Sequence, residues 1–284
     1  MKKSYLITGA TGYLGGHVAE FFIKKKYNVV LFDKKKSKIF KKNKVILGNI
    51  NNFDKLKKVT KNIHTIFHFA ATADLNEANK KPFETIENNL SNTLKLLKVC
   101  IKNKVKKIFF ASSVYAISEQ GGIYSTTKLA SEMIIEKVCK QHNIKFIILR
   151  FGTVYGGRAN KFNTVAKYIN AAKTKKKIYR ETKGNEVRSY IHIDDVVKLV
   201  FELTKNKYDN NHYNILGNKK FLVKDLFEII KKKINGLKII YSKSDKRKYN
   251  YKINPFTYRL RKGKTVKLKK YISLEKGIKK LIES

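Results

Sequence analysis

The chain has 284 residues, 42% of them hydrophobic, with 64 lysines and arginines against 21 acids and a formal net charge of +43. That length and apolar content exclude a disordered chain and allow a sizeable core without cross-links, while two cysteines, Cys100 and Cys139, exclude a disulfide framework and a cysteine-based zinc site. The positive excess is nearly all lysine, scattered in short clusters such as Lys24-Lys25-Lys26 and Lys231-Lys232-Lys233; it reads as codon bias rather than an arginine-based nucleic-acid reader, with nonspecific polyanion binding at low salt as the expected consequence.

In chain order, a first strand covers residues 5–7 and a helix follows over about 14–26. Further strands fall at 28–32, 45–47, 65–69, 107–111 and 144–149, each a short apolar run of the kind a sheet covered on both faces requires. Helical periodicity is clearest where Leu90, Leu94, Leu97 and Ile101 recur. The alternation of strand and helix predicts an α/β fold, a doubly wound parallel sheet of the Rossmann type with a small C-terminal α+β substrate lobe. Residues 1–150 form the dinucleotide-binding core and 151–284 the substrate lobe, interleaved with the core as one compact unit. The start of the chain is broken by glycines and threonines and reads as a phosphate loop, not as a leader. No stretch resembles a transmembrane helix. The two cysteines read as core thiols of a reducing, cytoplasmic compartment, and no metal site is expected.

The first strand runs into Thr8-Gly9-Ala10-Thr11-Gly12-Tyr13-Leu14-Gly15-Gly16, with glycines 9, 12 and 15 spaced G-x-x-G-x-x-G. The first glycine allows the tight turn, the second lets backbone approach a pyrophosphate, and the third lets helix and sheet pack closely. The helix N-terminus then meets the phosphate. Asp33 ends the second strand, where a carboxylate accepts ribose hydroxyls and repels a 2′-phosphate; NAD is preferred over NADP despite Lys34-Lys35-Lys36.

Strand five ends in Ala111-Ser112-Ser113, and Tyr124-Ser125-Thr126-Thr127-Lys128 follows on a helix. Positions i and i+4 share a face, so Lys128 lies beside Tyr124. Its ammonium, with a cationic nicotinamide ring, is expected to lower the phenol's pKa so that Tyr124 can take a hydroxyl proton as hydride leaves. Ser113 holds the same oxygen.

Together these residues resemble the extended short-chain dehydrogenase/reductase family in its NAD-dependent epimerase/dehydratase branch, over nearly the whole chain to about residue 230. The resemblance implies that Tyr13 and Leu14 belong to the cofactor loop, Asn49 and Ile50 to the adenine side, and Ala70 and Ala71, in His68-Phe69-Ala70-Ala71, to the strand-four lining. Asn89 with Thr93 matches the branch's N-x-x-x-T. Thr153, where many members carry Asn, and Arg188, in Arg188-Ser189-Tyr190-Ile191-His192, are the implied substrate contacts, the arginine on the nucleotide diphosphate. His68, His192 and Asp195 read as structural. A second phosphate-binding arginine has no clear match; Arg259 and Arg261 are candidates. The implied substrate is a nucleotide sugar, and the implied assembly a homodimer through the helices carrying Asn89 and Tyr124.

Dehydratases of the branch place Thr-Asp-Glu where this chain has Ser113-Val114-Tyr115, and no cysteine sits near the motifs. That leaves C4 epimerisation or simple oxidoreduction, and C4 epimerisation of a UDP-hexose is the expected reaction. Net dehydrogenation or reduction of a sugar or other secondary alcohol is the first alternative. A cofactor-binding scaffold that holds RNA or another polyanion is the second.

Overall fold

The computed structural model describes residues 3–37, 39–40, 43–242 and 250–256; Arg259 and Arg261 lie outside them. In chain order the elements are β1 (Ser4–Thr8), α1 (Tyr13–Lys24), β2 (Asn28–Asp33), β3 (Val45–Leu47), α2 (Phe53–Val59), β4 (Thr65–His68), α3 (Leu75–Lys80), α4 (Pro82–Ile86), a π-helical turn (Glu87–Ser91), α5 (Asn92–Lys102) and β5 (Lys107–Ser113). There follow α6 (Ile123–Gln141), β6 (Lys145–Phe151), β7 (Thr153–Tyr155), α7 (Thr164–Lys175), β8 (Lys177–Arg180), β9 (Val187–Arg188), β10 (Tyr190–His192), α8 (Ile193–Glu202), β11 (Asn211–Ile215), β12 (Phe221–Leu222), α9 (Val223–Lys231) and β13 (Lys238–Tyr241).

Seven strands form the central sheet in the order β11-β6-β5-β4-β1-β2-β3, and all its pairings are parallel. Side chains alternate across each strand. Tyr5, Ile7, Phe67, Phe109, Ile147 and Leu149 therefore join one core, which α1 and α8 cover through Phe22 and Val200. Leu6, Ile66, Ile108, Phe110 and Ile148 join the other, covered by α5 and α6 through Leu96 and Ile135. The chain order reverses between β1 and β4, and at such a switch point the carboxyl ends of neighbouring strands open a crevice.

The helix expected around Leu90 shows a different inward face. Leu96, Leu97, Val99 and Cys100 are buried, whereas Leu94 and Ile101 only pack against the edge of that core. The π turn at Glu87–Ser91 adds a residue to one turn, so no single 3.6-residue period runs through the segment. Residues 211–215 return to the sheet as β11 beside β6. A third, smaller core of Ala172, Ile178, Phe227 and Leu237 lies among α7, α9 and the parallel pair β8–β13. Among the described residues no helix is long and apolar enough to cross a membrane, and no cluster of metal-ligating side chains occurs.

Candidate active site

The turn after β1 is built by close approach. Gly9 has φ +69°, and a Cβ there would stand 2.7 Å from the Ala70 amide nitrogen. A Cβ on Gly15 would stand well inside van der Waals contact distance of the Gly9 carbonyl oxygen, and one on Gly12 would be 3.1 Å from it. Gly12 caps α1 in an extended conformation without a side-chain hydrogen bond, leaving the helix N-terminus open to an anion. Asp33, at the end of β2, accepts hydrogen bonds from the Thr11 amide at 2.9 Å and the Lys35 amide at 3.0 Å, which ties the loop to the second strand.

This turn opens into a cleft of about 630 Å³, lined by every residue assigned above to the cofactor and by Ser113, Tyr124 and Lys128. Asn49 turns its amide oxygen to the Asn51 amide at 3.2 Å. The far wall, which the sequence reading missed, comes from the loop after β7 and includes Arg158, Asn160 and Asn163. Arg158 reaches across to α1 and bonds Glu20 and His17. The Gly156-Gly157 pair was the available signal for that loop. The Tyr13 hydroxyl and the Asn160 side-chain oxygen are buried without a partner, and both residues line the cleft. A glycine cradle on a helix N-terminus, a carboxylate at the end of the second strand and two polar atoms awaiting partners fit a dinucleotide.

At the other end of the cleft, α6 presents Tyr124 and Lys128, both buried. Tyr124 is hydrogen-bonded to Ser113, yet burial pushes its phenol up to about 12. The expected lowering by Lys128 is thus not what this chain's own groups produce. The ammonium donates instead to the Ala111 carbonyl at 2.8 Å and lies 4.8 Å from the centre of the Phe110 ring. Burial brings Lys128 itself down to about 8, against a raising contribution from Glu132. The Ser113 hydroxyl oxygen accepts the Tyr115 amide at 3.2 Å.

A buried polar network fixes the surrounding elements. The Asn89 side chain accepts from the Thr72 amide at 2.8 Å and donates to the Thr72 carbonyl and the Thr127 hydroxyl, joining the π turn to the cofactor lining and to α6. Thr93 donates to the Asn89 carbonyl at 2.7 Å. His68 sits between the hydroxyls of Thr8 and Thr93 at 2.8 and 3.1 Å. Burial first, and Lys128 second, hold its pKa at about 3, so it packs and orients as a neutral ring. His192 caps α8, and Asp195 pairs with Lys198 on the surface.

Thr153 and Arg188 do not line the cleft. They meet through Tyr251. Arg188 donates to the carbonyls of Val187 at 2.7 Å and Tyr251 at 2.9 Å, its guanidinium stacks 4.0 Å from the Tyr251 ring centre, and Thr153 hydrogen-bonds the Tyr251 side chain. The preceding residue, Asn250, accepts from the Tyr115 hydroxyl at 3.0 Å.

A dinucleotide cradle that leads along one cleft to a Ser–Tyr–Lys group defines an enzyme of the extended short-chain dehydrogenase/reductase class. Residues 5–215 match the NAD dependent epimerase/dehydratase family, and the chain belongs to that family. Among curated relatives, it is 28% identical over 245 residues to a trifunctional UDP-glucose 4,6-dehydratase/UDP-4-keto-6-deoxy-D-glucose 3,5-epimerase/UDP-4-keto-L-rhamnose-reductase of Arabidopsis thaliana, of whose length the match spans 37% and of this chain 75%. It is 26% identical to the UDP-glucose 4-epimerase of Halalkalibacterium halodurans, over 79% of this chain and 78% of that one. The crystal structure of the UDP-glucose 4-epimerase of Thermotoga maritima with UDP-glucose shares the fold, with a TM-score of 0.80, 24% identity and 90% of each chain covered.

Proposed function

We propose that this enzyme is a sugar-nucleotide epimerase that inverts C4 of a UDP-hexose by abstracting a hydride and returning it. The observation that carries the reading is the distribution of acids. Among the described residues, Asp33 is the only carboxylate lining the cleft, and it is tied to Thr11 and Lys35 at the end of β2. Dehydration needs an additional acid and base at the reacting carbons, and Ser113-Val114-Tyr115 offers neither. Thiol chemistry is equally unsupported: Cys100 and Cys139 are buried in the core between α5 and α6, and burial pushes the Cys139 thiol up to about 12. What remains is proton and hydride exchange at one secondary alcohol.

Bound NAD supplies a hydride acceptor and donor and a positively charged ring beside the phenol. The Gly9–Gly15 turn and the α1 N-terminus hold its pyrophosphate, and Asp33 takes the ribose hydroxyls. Tyr124 Oη takes the proton of the C4 hydroxyl, Ser113 holds the same oxygen by hydrogen bond, and Lys128 keeps positive charge behind the phenol. When the 4-keto sugar turns its other face, Tyr124 returns the proton. Arg188 exchanges its two carbonyl partners for the substrate's diphosphate, a bidentate group that a guanidinium matches. The related structure from T. maritima, with UDP-glucose, and the H. halodurans relative named as an epimerase support the choice of UDP-hexose. Exposed Phe83 on α4 and Met133 on α6 support a homodimer through that helix layer. The test is to incubate the purified protein with UDP-galactose, without added NAD, and to look for UDP-glucose. Appearance of UDP-glucose to the equilibrium ratio is expected, and no interconversion would overturn the substrate assignment.

A further inference from the structure

A second charged group lies directly behind the Ser–Tyr–Lys group and is not used by the mechanism above. Tyr124, Lys128 and Glu132 recur every four residues along α6, so phenol, ammonium and carboxylate lie in series on one face. Glu132 is 1% exposed. Its carboxylate accepts the Nε of Arg150 at 3.0 Å and the second guanidinium nitrogen at 2.5 Å. It also accepts a short hydrogen bond from the Ser112 hydroxyl. Ser112 and Arg150 are register partners on β5 and β6, and Ser112 immediately precedes Ser113. One carboxylate therefore joins α6 to the ends of the two strands that frame the reacting atoms.

A buried ion pair is a poor stabilising device, because the desolvation of both partners offsets most of their attraction. Its position is informative instead. The charged groups facing Glu132 are Lys128 on its own helix, Arg150 on β6 and His212 on β11, whose Nε2 is 3.9 Å from the carboxylate. Glu136 and Lys140 lie further along α6, with Glu136 3.7 Å from His212. Burial, with Arg150 beside it, holds His212 below its ordinary value, so around neutral pH the carboxylate sits between two cations, Lys128 and Arg150.

We propose that Glu132 is a positioning residue for this enzyme: it fixes the end of β5 that carries Ser113 and supplies the negative charge against which the Lys128 ammonium is buried. This rests on the reading of Tyr124 as the proton acceptor.

The test separates charge from architecture. In NAD-loaded protein carrying 13C at lysine Cε, Lys128 is assigned by its loss in Lys128→Met and is set apart from surface lysines by its low inflection. Glu132→Gln removes the anion, and the Lys128 inflection is expected to fall by about one pH unit. Arg150→Met removes a competing cation, and the inflection is expected to rise. Both variants break the same ion pair, so a merely structural role moves both the same way or neither, and either result overturns the proposal. If one variant does not fold, the direction of the other decides. The alkaline limb of turnover follows the lysine inflection in each variant. The lysine titration needs no substrate; turnover that survives Tyr124→Phe would instead overturn the catalytic reading, independently of where Lys128 titrates.

Discussion

Burial acts on Tyr124 and Lys128 in the same sense, disfavouring the charged form of each. The phenol moves up to about 12 and the ammonium down to about 8. Tyr124→Phe, which keeps the ring and removes the proton acceptor, is expected to lower kcat by roughly 10²–10⁴-fold with little change in NAD affinity, as steady-state rates and NAD titration will show. For Lys128 the linkage has a definite sign. The folded state holds the lysine's pKa below its unfolded value, so its charged form opposes folding below pH 8, and that penalty disappears as pH rises to 10.5. Lys128→Met is therefore expected to stabilise the protein by roughly 1–3 kcal/mol at neutral pH, less at pH 10, while abolishing turnover; urea unfolding at the two pH values measures it. Arg188→Ala is expected to raise KM for the nucleotide sugar by about tenfold or more, and Arg188→Lys not to restore it, because a point charge lacks the fork. The Tyr-x-x-x-Lys pair was legible in the sequence because helical spacing alone places the two together. The direction of the phenol's shift was not, because it is set by the burial of Tyr124 in the folded chain, against a smaller lowering by its hydrogen bond to Ser113.

The glycine turn was legible at the level of whole elements, since strand, glycine spacing and helix occur in one uninterrupted stretch. Gly15→Ala puts a methyl into the Gly9 carbonyl, so α1 must move off β1. Loss of NAD binding and destabilisation of about 1–3 kcal/mol are expected, measured by calorimetry and thermal unfolding. Two features of the site were hidden for identifiable reasons. The π turn at Glu87–Ser91 leaves no periodic signature, and the apolar spacing across it pointed to a face rotated from the buried one. The wall after β7 combines the polar Arg158, Asn160 and Asn163 with Phe162, and its role arises only where the loop crosses to α1; the Gly156-Gly157 pair marks a loop but not that contact. The same holds for Thr153 and Arg188, which the structure gathers around Tyr251, about 60 to 100 residues further along the chain.

Taken whole, the molecule is a parallel sheet whose strand order reverses once, and the site lies where that reversal occurs. Alternating apolar strands and helices made this legible from composition and rhythm. The return of residues 211–215 to the sheet edge was not, because β11 is a short strand of mixed polarity. The net charge of +43 belongs to this scale too. Retention on heparin is expected to be lost at moderate salt and unaffected by NAD, as for diffuse surface charge; competition by NAD would instead place the polyanion in the cofactor cleft. The central claim, that hydride leaves and returns to the same sugar, is tested most directly with UDP-galactose deuterated at C4 and no added cofactor. The account predicts UDP-glucose that retains deuterium at C4, with no net NADH accumulating. Keto product formed with stoichiometric reduced cofactor, or deuterium lost from C4, would contradict it.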